Sequence, residues 1–183
     1  QAAKIVGECV EELGRLDILI NNAGIIRRAP ALEFGEKDWE DVIAINLSAA
    51  FYLSQAAARH FVEAGRGGKI INTASVLSYE GGITVPAYSA SKAGIANLTR
   101  ALANEWASLG INVNAIAPSY FTTELTSAIR EDTERSDALL ARLPAGRYGE
   151  PKDLKGTAVF LASDAASYVH GAILPVDGGW LGR

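Results

Sequence analysis

The chain of 183 residues contains no methionine and a single cysteine, Cys9. One cysteine excludes an internal disulfide and fits a reducing compartment, so we expect a cytoplasmic protein. No apolar run approaches the roughly eighteen residues of a membrane span, and no signal peptide is recognisable, so no membrane partner is expected. We also predict no metal site. Cys9 is interpreted as a core residue of an amphipathic helix from Ala2 to about Leu13.

Strong charge of either sign is also missing. Lys and Arg total 17 against 21 Asp and Glu, which leaves a formal net charge of −4, and no basic run stands out. Nucleic-acid binding therefore lacks its usual electrostatic signature. With 49% hydrophobic and 21% charged residues, the composition is that of an ordinary globular protein. Residues 1–183 are expected to form one domain.

What the sequence does contain is a regular alternation of helical and apolar strand-like segments. Short strands are predicted at 16–20, 69–73, 111–117 and 172–176, and helices before them at 2–13, 36–63, 88–107 and 152–162. Strands that are apolar on both faces and separated by helices indicate a parallel sheet covered on both sides. Right-handed crossovers then predict an α/β, doubly wound, Rossmann-type fold.

One segment interrupts this spacing. Residues 118–151 are rich in Thr, Ser, Arg and acidic residues, with short helices plausible at Glu124–Arg130 and Glu134–Arg142. The segment follows the carboxyl end of a strand, where ligands bind in open α/β sheets. The sequence alone is compatible with two interpretations, a substrate lid and a plain surface loop.

The most informative motif joins Ser75, Tyr88 and Lys92. Tyr88 and Lys92 are four residues apart on a predicted helix, so they share a face. A nearby ammonium favours phenolate and is expected to lower the pKa of Tyr88, which suits proton transfer at a reacting oxygen. Ser75 follows a predicted strand and can hydrogen-bond the same oxygen. A solvated helix pair is the alternative reading.

Asn46 is an independent indication. The apolar stripe of its helix runs through Val42 and Ile43, is broken by Asn46, and resumes at Ala50. Because a buried amide needs partners, Asn46 is expected either to bond local backbone at a helix distortion or to hold water in a proton relay to Lys92. Both roles are compatible.

These residues occur within a longer set of motifs that resembles the short-chain dehydrogenase/reductase family. The matching pieces are NNAG at 21–24, Asn46, Ser75, YSASK at 88–92, NVNAIAPSYFTT ending at Thr123, and AILPVDGG near the carboxyl terminus. Their order and spacing agree over essentially the whole chain. The resemblance implies a nicotinamide-dependent oxidoreductase with Asn46, Ser75, Tyr88 and Lys92 as catalytic residues.

The resemblance also implies a cofactor site, with NAD expected and NADP not excluded. Its contacts would be Asn22, Ala23 and Gly24 with the adenosine ribose, Lys92 beside Tyr88 with the nicotinamide ribose, and Pro118, Phe121 and Thr123 with the carboxamide. Ser119 replaces the glycine usual after Pro118, which puts the conformation of that loop in question.

No glycine-rich turn opens a helix after a first strand, although a dinucleotide site needs one. By the family pattern, we expect two strand–helix units and a further strand before Gln1, roughly 60–70 residues if one unit takes about 30. The residue that selects NAD or NADP would lie there.

For the substrate, the resemblance implies a deoxy sugar acid of the gluconate type. Arg27, Arg28 and Arg147 are candidates for binding its carboxylate, with Arg147 the one assigned, and Tyr120 or Tyr79 could line the pocket. Ser75 and Tyr88 would contact the reacting oxygen.

Two alternatives remain at this stage: a sibling reductase of oxoacyl thioesters or polyols, and a non-catalytic oligomerising fragment. The resemblance implies a homotetramer formed through helices 36–63 and 87–109, whose small residues suit close packing.

Overall fold

The computed structural model describes residues 1–182, which contain a four-stranded sheet. Its order is β1-β2-β3-β4, and every neighbouring pair is parallel. The strands are β1 (Ile18–Asn21), β2 (Gly68–Thr73), β3 (Ile111–Pro118) and β4 (Ile173–Val176). Each begins and ends within two residues of its predicted position. The predicted doubly wound α/β fold is confirmed.

Seven α-helices surround the sheet within the described residues. They are α1 (Ala2–Leu13), α2 (Glu36–Ile43), α3 (Ala49–Glu63), α4 (Pro86–Trp106), α5 (Ser127–Glu131), α6 (Thr133–Arg142) and α7 (Lys155–Ala162). Pro86 stands at the first position of α4, where its fixed φ and missing N–H are tolerated. Gly14 ends α1 in the left-handed conformation at φ 77°, as expected of a glycine after a helix.

The core lies on both faces of the two central strands. On one face, Phe61 of α3 and Leu102 of α4 pack with Ile70 of β2. On the other, Leu161 of α7 packs with Ile71 of β2. Adjacent β2 residues therefore point to opposite, covered faces, which explains why the central strands are apolar throughout.

The expectation that both faces are covered is wrong at the edge strand β1. Ile18 and Ile20 are 41% and 52% exposed, because α7 packs on β2 and β3 rather than over β1. The opposite face of β1 is covered by α3.

The apolar stripe predicted on α1 is also only partly buried. Val6 is buried and Cys9 is half-buried, whereas Ile5 and Leu13 are 54% and 71% exposed. Because α1 packs mainly on α3, it has a narrow contact face. Cys9 is thus at the margin of the core rather than inside it.

The long helix predicted at 36–63 is divided. A π-helical segment at Ala44–Ser48 separates α2 from α3. A π-bulge changes the direction in which side chains project, and such bulges are frequent at functional sites. Asn46 lies at its centre.

The segment after β3 folds over the carboxyl ends of the strands. A 3₁₀ turn at Glu124–Thr126 precedes α5, and α6 follows directly. Phe121 makes an isolated parallel bridge with Gly149, which closes the segment into a loop. Both short helices predicted here are present.

Candidate active site

A cavity of about 250 Å³ lies where β1, β2 and β3 end. Parallel strands bring their carboxyl ends to one edge of the sheet, so the residues that follow each strand converge there. Eight of the predicted site residues line this cavity: Asn22, Gly24, Ser75, Tyr88, Lys92, Pro118, Phe121 and Thr123. Residues separated by up to about a hundred positions are thereby brought into one site.

Tyr88 lies in the first turn of α4, and its ring is half-buried. Burial raises the pKa of the phenol, whereas a hydrogen bond with Ser75 and then the charge of Arg28 act to lower that pKa. Because burial dominates, the phenol carries its proton at neutral pH. Tyr88 is therefore ready to act as an acid.

The predicted electrostatic role of Lys92 is wrong for this structure. Lys92 is 4% exposed, and its Nζ donates a 2.6 Å hydrogen bond to the carbonyl oxygen of Thr73. The ammonium lies over the Tyr88 ring, 5.6 Å from its centroid, and is not among the groups that lower the pKa of the phenol. Burial lowers the pKa of Lys92 itself to about 8. The helix spacing brings the two side chains together but does not set their charge states.

Ser75 follows β2 and begins a 3₁₀ turn at Val76–Ser78. Its Oγ accepts a 3.2 Å hydrogen bond from the Leu77 amide, while Ser78 donates to the carbonyl oxygen of Lys92 at 2.7 Å. The Ser75 hydroxyl lines the same cavity as Tyr88 and can donate a hydrogen bond to an oxygen bound there. Ser78 anchors the turn to α4.

Asn46 bonds local backbone at a helix distortion, as predicted. Its Oδ1 accepts from the Ile25 amide at 2.8 Å, and its Nδ2 donates to the Ile25 carbonyl at 2.9 Å and to Ser91 Oγ at 3.1 Å. The π-helical segment turns this buried amide toward the loop after β1. Asn46 therefore joins that loop to α4. Its role in a water relay stays a prediction.

The residues after β1 leave space that fits a cofactor. A Cβ added to Gly24 would come within 3.4 Å of Asn46 Oδ1 and 3.8 Å of Lys92 Nζ, so a side chain here would narrow the cavity. Asn22 is exposed, and its Oδ1 accepts a 3.1 Å hydrogen bond from Thr73. Ala23 is exposed beside them without lining the cavity.

Ser119 is accommodated without backbone strain. Its φ is not positive, so a Cβ carries no penalty here. Its Oγ donates to the carbonyl oxygen of Asp177 at 2.9 Å. The serine in place of the usual glycine therefore ties the loop after β3 to the loop after β4.

A second cavity, of about 410 Å³, adjoins the first on the side of α6. Arg28 lines the second cavity, and Leu125 lines the first. The two cavities meet where Arg28 donates a 3.4 Å hydrogen bond to the carbonyl oxygen of Leu125. Tyr120 lines the second cavity, and its ring packs edge-on against Trp180 with centroids 4.9 Å apart. A pocket-wall position for Tyr120 agrees with the prediction.

Sequence reasoning missed the groups that face Tyr120 across this cavity. They are Glu80, Arg135, Arg142 and Trp180. Arg135 and Arg142 are seven residues apart on α6, and this spacing puts both on one helical face. That spacing could have indicated a positively charged helical face.

Three other candidates lie outside these two cavities. Arg147 pairs with Asp153 at 2.7 Å beside a neighbouring small cavity, and Arg27 pairs with Asp38 at 3.4 Å on the surface. Tyr79 donates to the carbonyl oxygen of Ile173 at 2.9 Å. Each has a structural partner, so the geometry favours Arg28 as the arginine of the site. Substrate binding by Arg147 stays a prediction.

Over residues 1–182, no group of three or more His, Cys, Asp and Glu side chains could hold a metal ion. None of the helices in that range is both long and apolar enough to cross a membrane.

Comparison with known proteins agrees with this arrangement. The family model described as enoyl-(acyl carrier protein) reductase, of the short-chain dehydrogenase type, matches residues 1–181. The chain belongs to the short-chain dehydrogenase/reductase family, and it is a NAD(P)-dependent oxidoreductase.

Among its relatives, the 2-dehydro-3-deoxy-D-gluconate 5-dehydrogenase of Escherichia coli K12 is 57% identical over 179 residues, which are 98% of this chain and 71% of that protein. The gluconate 5-dehydrogenase of Gluconobacter oxydans is 48% identical, over 92% of this chain and 65% of that protein. The crystal structure of a gluconate 5-dehydrogenase from Burkholderia cenocepacia in complex with NADP and tartrate has a TM-score of 0.97 and 43% identity. It matches 100% of this chain, which covers 71% of that structure.

Proposed function

We propose that the chain transfers a hydride between a nicotinamide cofactor and a hydroxyl or ketone group of a deoxy sugar acid of the gluconate type. The observation that carries the proposal is the convergence of Ser75, Tyr88 and Lys92 on one cavity at the strand ends. The substrate class is supported by relatives named for gluconate and for 2-dehydro-3-deoxy-D-gluconate.

In the reductive direction, Tyr88 donates its proton to the carbonyl oxygen as that oxygen becomes a hydroxyl. Ser75 donates a hydrogen bond to the same oxygen and holds it in line with the phenol. A nicotinamide held by Lys92 and the loop after β1 would supply the hydride chemistry when bound. In oxidation the same groups act in reverse, and Tyr88 removes the hydroxyl proton. The raised pKa of Tyr88 supports the proton-donating role.

Lys92 and Asn46 support this pair. Lys92 is proposed to hold the ribose hydroxyls of the cofactor, since its ammonium lines the cavity beside Tyr88. Asn46 positions the loop after β1 through its two bonds to Ile25, and we also assign it the water relay to Lys92. Neither residue needs to exchange a proton with the substrate directly.

For the cofactor, we propose that the adenosine ribose contacts Asn22, Ala23 and Gly24. The nicotinamide carboxamide is proposed to contact Pro118, Phe121 and Thr123. NAD is the proposed dinucleotide, and the NADP in the Burkholderia complex makes NADP the alternative. The ratio of kcat/KM measured with NAD to that measured with NADP distinguishes them.

The replacement Tyr88→Phe tests the mechanism. We expect kcat to fall by about 10²- to 10⁴-fold, the usual contribution of a positioned acid or base, while cofactor affinity measured by fluorescence titration is kept. The matched control is Tyr168→Phe, since Tyr168 is 98% exposed. Unchanged turnover in Tyr88→Phe would remove the proposed mechanism.

A substrate panel tests the substrate class. The description of the matching family model favours acyl thioesters as the second candidate. We expect turnover of 2-dehydro-3-deoxy-D-gluconate or 5-keto-D-gluconate. Activity confined to oxoacyl thioesters would replace the sugar-acid proposal.

A further inference from the structure

The cavity beside Tyr120 carries an excess of positive charge. Within the described residues, its lining contains three guanidinium groups, on Arg28, Arg135 and Arg142, and one carboxylate, on Glu80. A concave site of one charge sign concentrates ligands of the opposite sign. The net positive lining contrasts with the net charge of −4 over the whole chain.

Two of these four groups are already engaged by Trp180. Its Nε1 donates to Glu80 Oε1 at 2.6 Å, and the Arg142 guanidinium lies over its ring, 4.0 Å from the centroid. Glu80 and Arg142 therefore form a fixed wall with the indole between them. Glu80 makes no ion pair within 4.0 Å with either of the other two arginines.

Arg28 and Arg135 lack a carboxylate partner. Arg28 donates one long hydrogen bond, to the Leu125 carbonyl at 3.4 Å, and neither residue has an ion pair among residues 1–182. Arg27, the immediate neighbour of Arg28, does pair with a carboxylate. Burial, followed by repulsion from Arg135, lowers the pKa of Arg28.

Two guanidinium groups that repel each other across a cavity are stabilised by an anion between them. A carboxylate suits this position because its two oxygens accept bidentate hydrogen bonds from the planar guanidinium fork. The cavity that Arg28 and Arg135 line meets the cavity that Tyr88 lines at the contact between Arg28 and Leu125. A substrate that spans the two cavities can contact both the arginine pair and the acid/base residue.

We propose that Arg28 and Arg135 jointly bind the carboxylate of the substrate, and that this pair selects sugar acids over neutral polyols. The proposal rests on the proposed function for the identity of the acid. Arg28 comes from the loop after β1, and Arg135 comes from α6. The bound carboxylate therefore also draws α6 onto the body of the protein.

The first test measures binding without cofactor, so that it does not depend on activity. The full-length protein is titrated calorimetrically with D-gluconate and with the neutral analogue D-glucitol. Arg28→Gln and Arg135→Gln are each expected to weaken gluconate binding by about 10- to 100-fold, the range for a lost charged hydrogen bond, without changing glucitol binding. Arg135→Lys, which keeps the charge but loses the fork, is expected to fall between Arg135→Gln and the unaltered protein.

Arg27→Gln is the matched control, because Arg27 is adjacent in sequence and lies on the surface in an ion pair with Asp38. It should bind gluconate as the unaltered protein does. Thermal unfolding of each variant checks that the exposed substitutions leave the fold intact. Equal gluconate affinity in Arg135→Gln and the unaltered protein would overturn the proposal, as would absence of gluconate binding by the unaltered protein.

Kinetics separate this proposal from the proposed function. If the pair binds the carboxylate of a substrate, KM for the sugar acid rises in both Gln variants while kcat changes little. Turnover of sugar acids with unchanged KM in both variants would overturn the arginine pair and leave the function standing. Loss of gluconate binding in the variants, with no turnover of any sugar acid by the unaltered protein, would support the pair and reject the function.

Discussion

At the scale of single residues, the site depends on burial more than on neighbouring charge. Tyr88 is half-buried and Lys92 is buried, and burial moves each toward its neutral form: the pKa of the phenol rises and that of the ammonium falls to about 8. Because the pKa of the phenol lies above that of the ammonium, the phenol keeps its proton in the absence of a ligand. Tyr88 is therefore held in the proton-donating form before any ligand binds.

This burial has a consequence for stability that Lys92 makes measurable. An unfolded lysine has a pKa of about 10.4, and Lys92 in the folded protein has a pKa of about 8. Between these values the unfolded chain holds a proton that the folded protein has released, so the free energy of unfolding rises with pH through this interval and is level below it. Relative to Lys92→Met, the unaltered protein should gain about 3 kcal/mol between pH 7.5 and 10.5.

Denaturant unfolding of both proteins at a series of pH values measures this difference. Lys155→Met, which removes an exposed lysine of α7, controls for the change in net charge and should give a flat difference. Parallel stability curves for Lys92→Met and the unaltered protein would contradict the buried, depressed lysine.

Much of the site could be predicted because it depends on local order along the chain. The spacing of Tyr88 and Lys92, and the position of Ser75 after an apolar strand, are local, and all three residues line one cavity. The charge states could not be predicted, since burial is a property of the assembled fold. Arg135 was missed for the same reason: its partner across the cavity, Arg28, is more than a hundred residues away.

At the scale of elements, two distortions contact the loop after β1. The π-helical segment turns Asn46 toward the loop after β1. The loop before α4 holds Thr84 at φ 62°, the one positive φ outside glycine among residues 1–182. The Thr84 carbonyl accepts from the Ala29 amide at 3.0 Å, next to Arg28. The polar break at Asn46 pointed to a distortion of the helix predicted at 36–63, whereas nothing in the sequence pointed to the positive φ of Thr84.

The strain at Thr84 predicts an unusual response to glycine. A left-handed conformation costs a residue with a Cβ about 1–2 kcal/mol, and glycine avoids that cost. At positions with ordinary φ, a replacement by glycine lowers the free energy of unfolding by about 0.5–1 kcal/mol, because glycine loses more conformational entropy on folding. Thr84→Gly should therefore be more stable than the control Ile83→Gly by about 1–2 kcal/mol, measured by denaturant unfolding.

Ile83 is a suitable control because it is the preceding residue, is 85% exposed and does not have a positive φ. Equal losses of stability in the two variants would show that Thr84 carries no strain. We also expect Thr84→Gly to raise KM, since a looser loop positions Arg28 less well.

The lid assignment also belongs to this scale. We propose that residues 118–151 act as the substrate lid, and that residues 1–183 form a single domain. Support comes from α6, which lines the second cavity through Arg135, Leu139 and Arg142, and from Trp180, which Arg142 contacts. The lid is thereby linked to the carboxyl-terminal loop as well as to the cavity.

At the scale of the whole molecule, the outer faces of α3 and α4 remain to be explained. A groove between them is lined by apolar side chains and by four polar or charged ones: Phe51, Ala58, Val62, Leu102, Trp106 and Leu109, with Gln55, Arg59, Glu63 and Glu105. Val62 and Leu109 are each 49% exposed. Exposed apolar surface bordered by polar residues is typical of protein interfaces. This groove lies on the two helices through which the tetramer was predicted.

We therefore expect a homotetramer in solution, and we expect charge in the groove to disrupt it. Val62→Glu and Leu109→Glu each place a carboxylate where a second copy would bury it without a partner, at a cost of several kcal/mol. Light scattering coupled to size exclusion should give four chain masses for the unaltered protein and a smaller species for each variant.

Lys37→Glu, on the exposed surface of α2, is the control and should leave the mass unchanged. A tetramer that survives both groove substitutions would place the interface elsewhere. Because Lys92 and Tyr88 lie on the inner side of α4, the smaller species should still bind gluconate, so that assembly and ligand binding can be measured separately.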